Sequence, residues 1–340
     1  MKILVAPLNW GLGHASRCVP LVQQFIDEGH EVILGGDGES LTLLRKHFPK
    51  LRYVYLAPLN LRYGKGKRQV WAMMKAIPQI LGWAMKDHAL LQAVLREEQF
   101  GMVVSDNRFG CYLSPKTKKA NPVLRSVYIT HQLHIFLPSG WRWLEGLAER
   151  LHARVCAKYK EVWVPDYEEK ERSLSGELGH PKISNFKSQI SNLKYIGPQS
   201  RFEPYRDVRN GHEMVTEMDL QRTYSYETVA VLSGLEPQRT IFEREIVSRY
   251  QGKEGSVLIV QGLMNRPNTR MKRGNITIVP YLGDEELARA LVGTKHIIAR
   301  SGYSTIMDLE ALGRMDKAEL IPTPGQPEQE YLATLHNKMQ

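Results

Sequence analysis

One order of local elements occurs twice in the chain: an apolar strand, a turn, a helix with one apolar face, and a further strand. The first copy has its strand at residues 2–8, helical spacing at 20–28 and a second strand at 31–34. The second copy begins with an apolar strand at 228–232. Because strands that alternate with helices form parallel sheets covered on both faces, the sequence predicts an α/β fold with two Rossmann-like, doubly wound domains.

The predicted domain boundaries follow from where this pattern stops and restarts. It holds over residues 1–165 and over 228–340, and the stretch 166–227 is polar without a clear period. Within that stretch the tripeptide Ile-Ser-Asn occurs twice, which predicts a small surface insert at 182–194. We therefore expect an N-terminal domain, a linker region with an insert, and a C-terminal domain.

The composition excludes several classes of protein. Hydrophobic residues make up 42% and charged residues 24% of the 340 positions, as in ordinary globular proteins. No run approaches the ~20 apolar residues that a membrane-spanning helix needs, and the first apolar run is too short for a signal peptide. The three cysteines are widely spaced, which favours neither a disulfide framework nor a zinc site. We expect a cytoplasmic protein with buried, reduced thiols.

Positive charge is concentrated in the first half of the sequence. Residues 1–165 contain 23 Lys and Arg against 12 Asp and Glu, a balance of +11, and residues 166–340 contain 23 against 24, a balance of −1. This asymmetry indicates an anionic partner, such as a membrane surface, a phosphorylated substrate or nucleic acid; a solvated basic face is the alternative. No nucleic-acid-binding motif accompanies the charge, so we expect no nucleic-acid partner.

A glycine-containing turn follows the first strand, where parallel sheets bind their ligands. It contains Gly11, Gly13 and His14, and glycines let backbone N–H groups approach a ligand closely. His14 can act as a general base at neutral pH, although a structural hydrogen bond is the alternative for a single histidine. A NAD site with Asp37 on the ribose is a further alternative, but Ser16 replaces the third glycine of the dinucleotide motif.

Two turns in the C-terminal half carry groups suited to a nucleotide sugar. Residues 300–305 place hydroxyl side chains and a glycine at the start of a helix, where N–H groups bind phosphate, and Glu310 lies within reach of a ribose on the same helix. Residues 322–331 place Glu328 and Gln329 at the start of another helix, where they can bind sugar hydroxyls. Ordinary helix capping is the alternative for both turns.

Polar residues also follow other strands of the N-terminal half. Asp106 and His131 each come after a predicted strand, so they should share the carboxyl edge of the sheet with His14, and either could assist catalysis. A turn-capping role is the alternative for Asp106. Basic residues beside tryptophans at 62–83 and 136–143 suit contact with an anionic lipid surface, or else a core helix with a basic loop beside it.

Several common site motifs are missing from the sequence. It has no Walker phosphate loop, no His-Glu-x-x-His zinc motif and no Gly-x-Ser-x-Gly nucleophile turn. It also lacks Asp-x-Asp, the carboxylate pair that holds a divalent cation in many sugar-nucleotide enzymes. We therefore expect no metal and no cofactor, with the charge of a leaving diphosphate neutralised by a helix terminus and basic side chains.

Together, Gly11-Leu12-Gly13-His14 and residues 298–329 resemble the motifs of GT-B glycosyltransferases of family 28, which includes the N-acetylglucosaminyltransferase that forms lipid II. The resemblance extends loosely over the whole chain. It implies two Rossmann-like domains that face a central cleft, and inverting, metal-independent transfer of a hexose or N-acetylhexosamine from a UDP-sugar. The implied acceptor is a lipid-linked or cell-envelope glycan of bacterial type, met at the inner face of the cytoplasmic membrane.

The resemblance implies acceptor and catalytic roles in the N-terminal domain. His14, or else Asp106, would take the proton of the acceptor hydroxyl. The residues implied for acceptor binding are Gly11, Gly13, Asn107, Arg108 and His131.

The resemblance also implies that the C-terminal domain holds the nucleotide sugar. The diphosphate would lie at residues 301–305, the ribose at Glu310, the base near residues 280–282 and the sugar hydroxyls at Glu328 and Gln329. The implied nucleotide-sugar residues are Ser233, Arg239, Gln261, Tyr281, Leu282, Ser301, Gly302, Tyr303, Ser304, Thr305, Glu310, Gln326, Glu328 and Gln329.

Three features depart from the family pattern, and the insert at 182–194 is one of them. Glu236-Pro237 stands where the lipid II enzyme has a glycine-rich turn, so that enzyme's substrates do not transfer to this chain. The sequence stops at Gln340, near the helix that begins at Glu328, which predicts a truncated C-terminal domain. Two alternatives stay open: an enzyme like UDP-sugar 2-epimerases, and a non-catalytic nucleotide-sugar-binding or membrane-associated protein.

Overall fold

The computed structural model describes residues 1–59, 69–181, 192–205 and 226–337. The chain divides into two compact units, residues 1–10 with 14–199 and residues 11–13 with 200–340. Most of the predicted insert at 182–194 lies outside the described residues, as do residues 62–68 of the basic stretch and residues 206–225 of the predicted linker.

A seven-stranded sheet forms the centre of the first unit, and all its neighbouring strands pair in parallel. The spatial order is β3-β2-β1-β4-β5-β6-β7. The strands are β1 (Lys2–Pro7), β2 (Glu31–Gly36), β3 (Tyr53–Tyr55), β4 (Met102–Asp106), β5 (Arg125–Ile129), β6 (Glu161–Val164) and β7 (Leu193–Tyr195). The central strands are buried along almost their whole length, because helices cover both faces.

The described helices between these strands are α1 (Gly13–Asp27), α2 (Gly38–His47), α3 (Gln69–Glu97), α4 (Pro115–Ala120) and α5 (Glu145–Cys156). A short 3-10 helix, Ser139–Leu144, leads into α5, and another covers Lys170–Arg172. The start of α4 shows how sequence sets a boundary, since Ser114 accepts a hydrogen bond from the Thr117 N–H at 3.1 Å and Pro115 follows it. Among the described helices, none combines the length and the apolar character needed to cross a bilayer.

The second unit contains a six-stranded sheet in the order β10-β11-β9-β8-β12-β13. All pairs are parallel except β10 with β11. Its strands are β8 (Thr228–Val231), β9 (Val257–Val260), β10 (Met271–Arg273), β11 (Ile276–Val279), β12 (His296–Arg300) and β13 (Ala318–Ile321). Its helices are α6 (Gln238–Tyr250), α7 (Asp284–Gly293), α8 (Tyr303–Ala311) and α9 (Pro327–Asn337), with a 3-10 turn at Met315–Lys317. The prediction of two doubly wound α/β domains is confirmed.

The first helix begins earlier than the spacing predicted. Helical spacing is clear only from residue 20, but α1 starts at Gly13 and continues through Pro20. Gly11 adopts a φ of +77°, which turns the chain directly after β1 and lets the helix begin two residues later. His14 therefore lies in the first turn of a helix rather than in an open loop.

The first unit also extends beyond residue 165, where the sequence predicted its N-terminal domain to end. Strand β7 pairs in parallel with β6, and this pairing carries the unit on to Gln199. A strand of three residues is too short to show a hydrophobic period. Part of the predicted linker is therefore the last strand of the first sheet.

Candidate active site

His14 and Asp106 lie together at the carboxyl edge of the first sheet. Asp106 ends β4, and His14 follows β1, the strand that pairs with β4. His14 Nδ1 is 2.7 Å from Asp106 Oδ1. Nδ1 also lies 2.9 Å from Nη2 of Arg17, which can only donate, but that nitrogen already donates to Asp106. The shorter contact of Nδ1 is to the ionised carboxylate, which can only accept, and it assigns the proton to Nδ1. This tautomer leaves the Nε2 lone pair as the basic atom of the ring.

Arg17 completes a buried charged cluster with this pair. It lies one turn after His14 on the same helix and is only 2% exposed. Its Nε and Nη2 donate to the two carboxylate oxygens of Asp106. Its Nη1 lies 3.0 Å from Nδ1 of His131, which is itself buried. Because a guanidinium only donates, Nδ1 of His131 is the acceptor and carries no proton.

The charge state of Asp106 results from opposing effects. Complete burial acts to raise the pKa of Asp106, but the charges of Arg17 and His14 and their hydrogen bonds outweigh it and lower the pKa to about 2. The carboxylate is therefore ionised at neutral pH and can hold the proton on His14 Nδ1. Cys18 lies 3.8 Å from the same carboxylate, and burial together with this charge raises the pKa of its thiol well above the usual value.

Asn107 and His131, both predicted to bind the acceptor, adjoin this cluster: Asn107 in the chain, and His131 through its contact with Arg17. Asn107 follows Asp106 directly with a φ of 52°, in the left-handed region that asparagine tolerates. Its side-chain oxygen accepts a hydrogen bond from the Tyr128 hydroxyl at 2.9 Å. Gly11 and Gly13 follow β1 in the same turn as His14. The acceptor-side residues thus follow three adjacent strands, β1, β4 and β5.

Arg108 is the exception among the predicted acceptor residues. Its side chain is fully buried and forms ion pairs of 2.9 Å with Asp87 of α3 and with Asp37. It also donates to the carbonyl oxygen of Ala57 at 2.6 Å. The guanidinium is thus engaged inside the unit, which differs from its predicted role in acceptor binding. Asp37 is also bonded to Asn9 at 3.0 Å, which removes the ribose partner that a NAD site would require.

The predicted diphosphate loop follows β12 in the second unit. Gly302 precedes α8, and Ser304 and Thr305 are half-buried in its first turn. Ser301 is completely buried, and its hydroxyl donates to the carbonyl oxygen of Gln329 at 2.8 Å. Tyr303 is also buried. The hydroxyls of Ser304 and Thr305 are therefore better placed for a ligand than that of Ser301.

The loop from β13 to α9 is held by hydrogen bonds from both ends. The Thr323 N–H donates to Oε1 of Gln329 at 2.8 Å, and the Gly325 N–H donates to Oε1 of Glu330 at 3.0 Å. Arg300 Nη1 donates to the Pro322 carbonyl oxygen at 2.8 Å. The side-chain oxygen of Gln329 is thus used inside the loop, which differs from its predicted role on a sugar hydroxyl. Gln326, Glu328 and Glu310 are half-buried.

The remaining nucleotide-sugar residues follow other strands of the second sheet. Ser233 comes after β8, Gln261 after β9, and Tyr281 and Leu282 after β11. The Leu282 side chain is buried, which leaves only its backbone for a base contact. Arg239 is nearly buried in α6, where it pairs with Glu236 and Glu243 of its own unit.

Gln261 donates to Glu243 at 2.9 Å, so both it and Arg239 are engaged within the unit. In the part of the chain that the structure describes, no three His, Cys, Asp or Glu side chains are grouped to hold a metal ion.

Arg17 is a residue of the candidate site that the sequence did not indicate. Arg17 was missed because the sequence predicted a loop at this position and a helix only from residue 20. A helix that starts at Gly13 places Arg17 one turn after His14, and this spacing would have indicated that the two side chains lie together.

The architecture of this chain is similar to that of solved glycosyltransferase structures. No family model matches the chain. A solved spinosyn rhamnosyltransferase, SpnG, complexed with thymidine diphosphate, matches with a TM-score of 0.57 and 15% identity over 100% of this chain and 84% of that one. LpCGTa in complex with UDP matches with a TM-score of 0.55 and 12% identity over 99% and 82%. The chain has the GT-B fold.

Sequence relatives agree with this fold. Two uncharacterized glycosyltransferases, from Methanosarcina acetivorans and Methanosarcina mazei, are 24% and 23% identical in sequence to this chain. Both alignments cover 98% of this chain and 83% of the relative. The prediction that this GT-B protein is a glycosyltransferase is confirmed. Its placement in family 28 stays a prediction.

Proposed function

We propose that this glycosyltransferase moves a hexose or N-acetylhexosamine from a UDP-sugar to a hydroxyl of a lipid-linked or cell-envelope glycan, as family 28 enzymes do. The observation that carries the proposal is the pair formed by His14 and Asp106 at the carboxyl edge of the first sheet. Their side chains are 2.7 Å apart, and Arg17 keeps the Asp106 carboxylate ionised. The nucleoside diphosphates bound by SpnG and LpCGTa support a donor of this class.

The catalytic step follows from the tautomer of His14. Nε2 accepts the proton of the acceptor hydroxyl while that oxygen forms a bond to the anomeric carbon. The bond from the anomeric carbon to the diphosphate oxygen breaks in the same displacement, which inverts the configuration. Asp106 stabilises the imidazolium that forms and keeps the ring in place. General-base assistance of this kind typically contributes about 10²- to 10⁴-fold in rate.

The leaving diphosphate needs positive charge, and the second unit offers it at the start of α8. The N–H groups of the first turn and the positive end of the helix dipole can bind a phosphate there, with the hydroxyls of Ser304 and Thr305 beside them. Glu310, two turns along the helix, would bind the ribose, and Gln326 and Glu328 the sugar. This arrangement supports transfer without a metal ion or other cofactor.

A calorimetric titration with UDP, TDP, GDP and NAD, combined with two pairs of variants, tests the division of roles. Glu310→Ala should weaken UDP binding about tenfold, as the loss of a hydrogen bond to a charged group predicts, whereas Glu254→Ala, at an exposed acid of the same unit, should not. His14→Ala should bind UDP normally but lose transfer to a glycolipid extract at least about 100-fold. His47→Ala, whose ring bonds its own helix, serves as its control.

The outcomes separate this proposal from its alternatives. Equal loss of UDP binding in Glu310→Ala and His14→Ala would contradict the separate donor and base roles. Conversion of one UDP-sugar into another without an acceptor would indicate an epimerase instead. Saturable UDP binding without turnover on any glycolipid fraction would indicate a binding protein.

We also propose that the enzyme works at the cytoplasmic face of an anionic membrane, where a lipid-linked acceptor would be found. The excess of positive charge in residues 1–165 supports this location.

A further inference from the structure

The turn that leads from β1 to His14 is held at its start by groups of other elements. The Leu8 N–H donates to the Asp106 carbonyl oxygen at 2.9 Å, and the Leu8 carbonyl oxygen accepts from the Ser40 hydroxyl at 3.3 Å. Ser40 lies in the first turn of α2. Because α1 begins shortly after Leu8, the path of this turn decides where the ring of His14 lies.

Asn9 continues this attachment with both ends of its side-chain amide. Its Nδ2 donates to Oδ2 of Asp37 at 3.0 Å, and its Oδ1 accepts from the Ser40 N–H at 3.3 Å. These partners assign the amide, because a carboxylate accepts and a backbone N–H donates. Asp37 precedes α2, but its side chain does not cap the helix. Asn9 therefore supplies the acceptor for an N–H group in the first turn of α2.

Arg108 holds both the end of β1 and the partner of Asn9. Its Nη1 donates to Oδ1 of Asp37 at 2.9 Å and to the Pro7 carbonyl oxygen at 3.2 Å. The guanidinium is fully buried and is also paired with Asp87 of α3. A buried ion pair keeps its geometry, because separating the partners would leave a charge without compensation. Asn9 is therefore bound to a carboxylate that is itself fixed.

The short turn after β4 holds both ends of the connection from β1 to α1. Asp106 contacts His14 at the helix end, and Arg108 contacts Pro7 at the strand end. In a continuing strand Asp106 and Arg108 would point to the same face. Asn107 lies between them with a φ of 52°, and this left-handed conformation ends the alternation of the strand. Asn9 joins the connection to this framework through its side chain.

We propose that Asn9 is a positioning residue for the proposed base. Its amide, held by Asp37 and Ser40, fixes the path of the turn and thereby the direction in which Nε2 of His14 points. The inference deepens the proposed function and rests on it, since it takes His14 as the group that accepts the acceptor proton. A small displacement of the base lowers the rate, because the reacting atoms must be held in a near-attack geometry. The alternative is that Asn9 only caps α2, which would leave His14 unaffected.

Gly38 offers an independent way to disturb Asn9. It is exposed with a φ of +55°, and a Cβ built there would collide with Nδ2 of Asn9. In Gly38→Ala the amide of Asn9 must therefore move. Gly29→Ala is the matched control, because Gly29 is also exposed, with a φ of +75°, but its Cβ would meet nothing within 4 Å. Both changes place alanine in the left-handed region and should cost similar stability.

The first measurement is the nitrogen NMR signal of the His14 ring in the full chain labelled with ¹⁵N-histidine, at neutral pH. His14→Ala assigns the signal by its disappearance. In the parent chain the protonated nitrogen should be Nδ1, since Asp106 accepts from it. Asn9→Ala and Gly38→Ala should each move the signal toward a mixture of the two tautomers. Gly29→Ala should leave it unchanged.

The second measurement is the rate of transfer from UDP-N-acetylglucosamine or UDP-glucose to the glycolipid extract, with UDP titration of every variant. Asn9→Ala and Gly38→Ala should each lower kcat about tenfold with UDP binding unchanged, and Gly29→Ala should keep the parent kcat. In the double variant Asn9→Ala, Gly38→Ala the loss should stay about tenfold, because both changes act through one side chain. Independent effects would multiply to about 100-fold.

A His14 signal that is the same in the parent, in Asn9→Ala and in Gly38→Ala would overturn the proposal. So would losses of kcat that multiply in the double variant, or equal losses in Gly38→Ala and Gly29→Ala. The ring signal decides the positioning role even where no transfer is detected.

The same experiments separate this proposal from the proposed function. If the His14 signal moves as expected but His14→Ala keeps the parent rate of transfer, Asn9 positions the ring and the ring is not the base. If His14→Ala loses transfer while Asn9→Ala retains both the parent signal and the parent rate, the positioning role alone is rejected.

Discussion

At the scale of single residues, the proposed base is held in place by a buried cation. Arg17 binds both oxygens of Asp106, and Asp106 in turn holds the proton on His14. Without the guanidinium, the buried carboxylate would face its desolvation cost with one partner fewer. We therefore expect Arg17 to act as a positioning residue for the proposed base.

Two replacements of Arg17 distinguish the effect of its positive charge from the effect of its two hydrogen bonds to Asp106. In Arg17→Gln the pKa of Asp106 should rise from about 2 past its ordinary value, because burial is no longer opposed by the arginine charge. The acid side of the kcat–pH profile should therefore move to higher pH, with kcat at neutral pH about 100-fold lower as the ring loses its orientation. Arg17→Lys keeps the charge but only one contact, so it should lower kcat without moving the profile.

The measurement is kcat against pH for both variants, with UDP titration to show that the second unit is intact. Unshifted profiles in both variants would mean that Arg17 serves only the stability of the first unit.

At the scale of elements, one hydroxyl connects the two loops of the proposed donor site. Ser301 lies at the start of the diphosphate loop, and its hydrogen bond to the Gln329 carbonyl fixes the first turn of α9. The side chain of the same Gln329 then caps the loop that precedes α9. The positions of the proposed phosphate and sugar contacts are thereby coupled.

Ser301→Ala breaks this connection and leaves a carbonyl oxygen without its partner. The cost of about 1 kcal/mol predicts a rise of about fivefold in the KM for the donor, with a smaller change in kcat. Thr334→Ala is the matched control, since the Thr334 hydroxyl bonds only within α9, to Glu330 at 2.9 Å. Steady-state kinetics with varied donor checks this, and equal KM values in the two variants would argue against the coupling.

Some strands and helices could be predicted from the sequence, and others could not. The long apolar strands were predicted because burial on both faces forces continuous hydrophobic runs, as in β4 and β9. Strands β7 and β10 were missed, because three half-buried or exposed residues carry no such signal. The start of α1 was missed because glycines and Pro20 weaken a helical pattern that the tertiary structure nevertheless stabilises.

For the candidate site, the predicted ends of the strands indicated which residues lie at the carboxyl edge of the sheet. They did not indicate which partners those side chains contact. His14 and Asp106 could be expected to meet because they follow paired strands. Arg108 follows the same strand, yet it turns inward to Asp87, a partner on a distant helix that no local pattern indicates.

At the scale of the whole molecule, buried carboxylates make stability depend on pH in opposite directions. Asp106, with a pKa lowered from 3.8 to about 2, contributes stability above about pH 4 that is lost as the pH falls through about 2. In α8, burial raises the pKa of Asp308 to about 6, although the charge of Arg201 and the Ser200 hydroxyl act to lower it. Protonation of Asp308 therefore stabilises the fold below about pH 4, and this contribution is lost as the pH rises through about 6.

Asp308→Asn should remove the loss of stability that accompanies ionisation of Asp308. The side chain is 14% exposed, so we expect a gain of about 2 kcal/mol in the free energy of unfolding above pH ~6 that disappears below pH ~4. Urea denaturation at a series of pH values measures the difference between variant and parent. A difference that stays constant over the whole range would show that Asp308 does not titrate in this way.

Both sheets end in short strands, and this has a consequence for the behaviour of the chain at high concentration. The edges of the first sheet, β3 and β7, have three residues each, and β10, at one edge of the second, has three exposed residues of which two are cationic. A foreign strand can add to a sheet only where a long, flat row of unpaired backbone groups is offered. Lys272 and Arg273 on β10 would also repel a second copy of the same strand. The two large sheets are thereby protected at these edges against growth into aggregates.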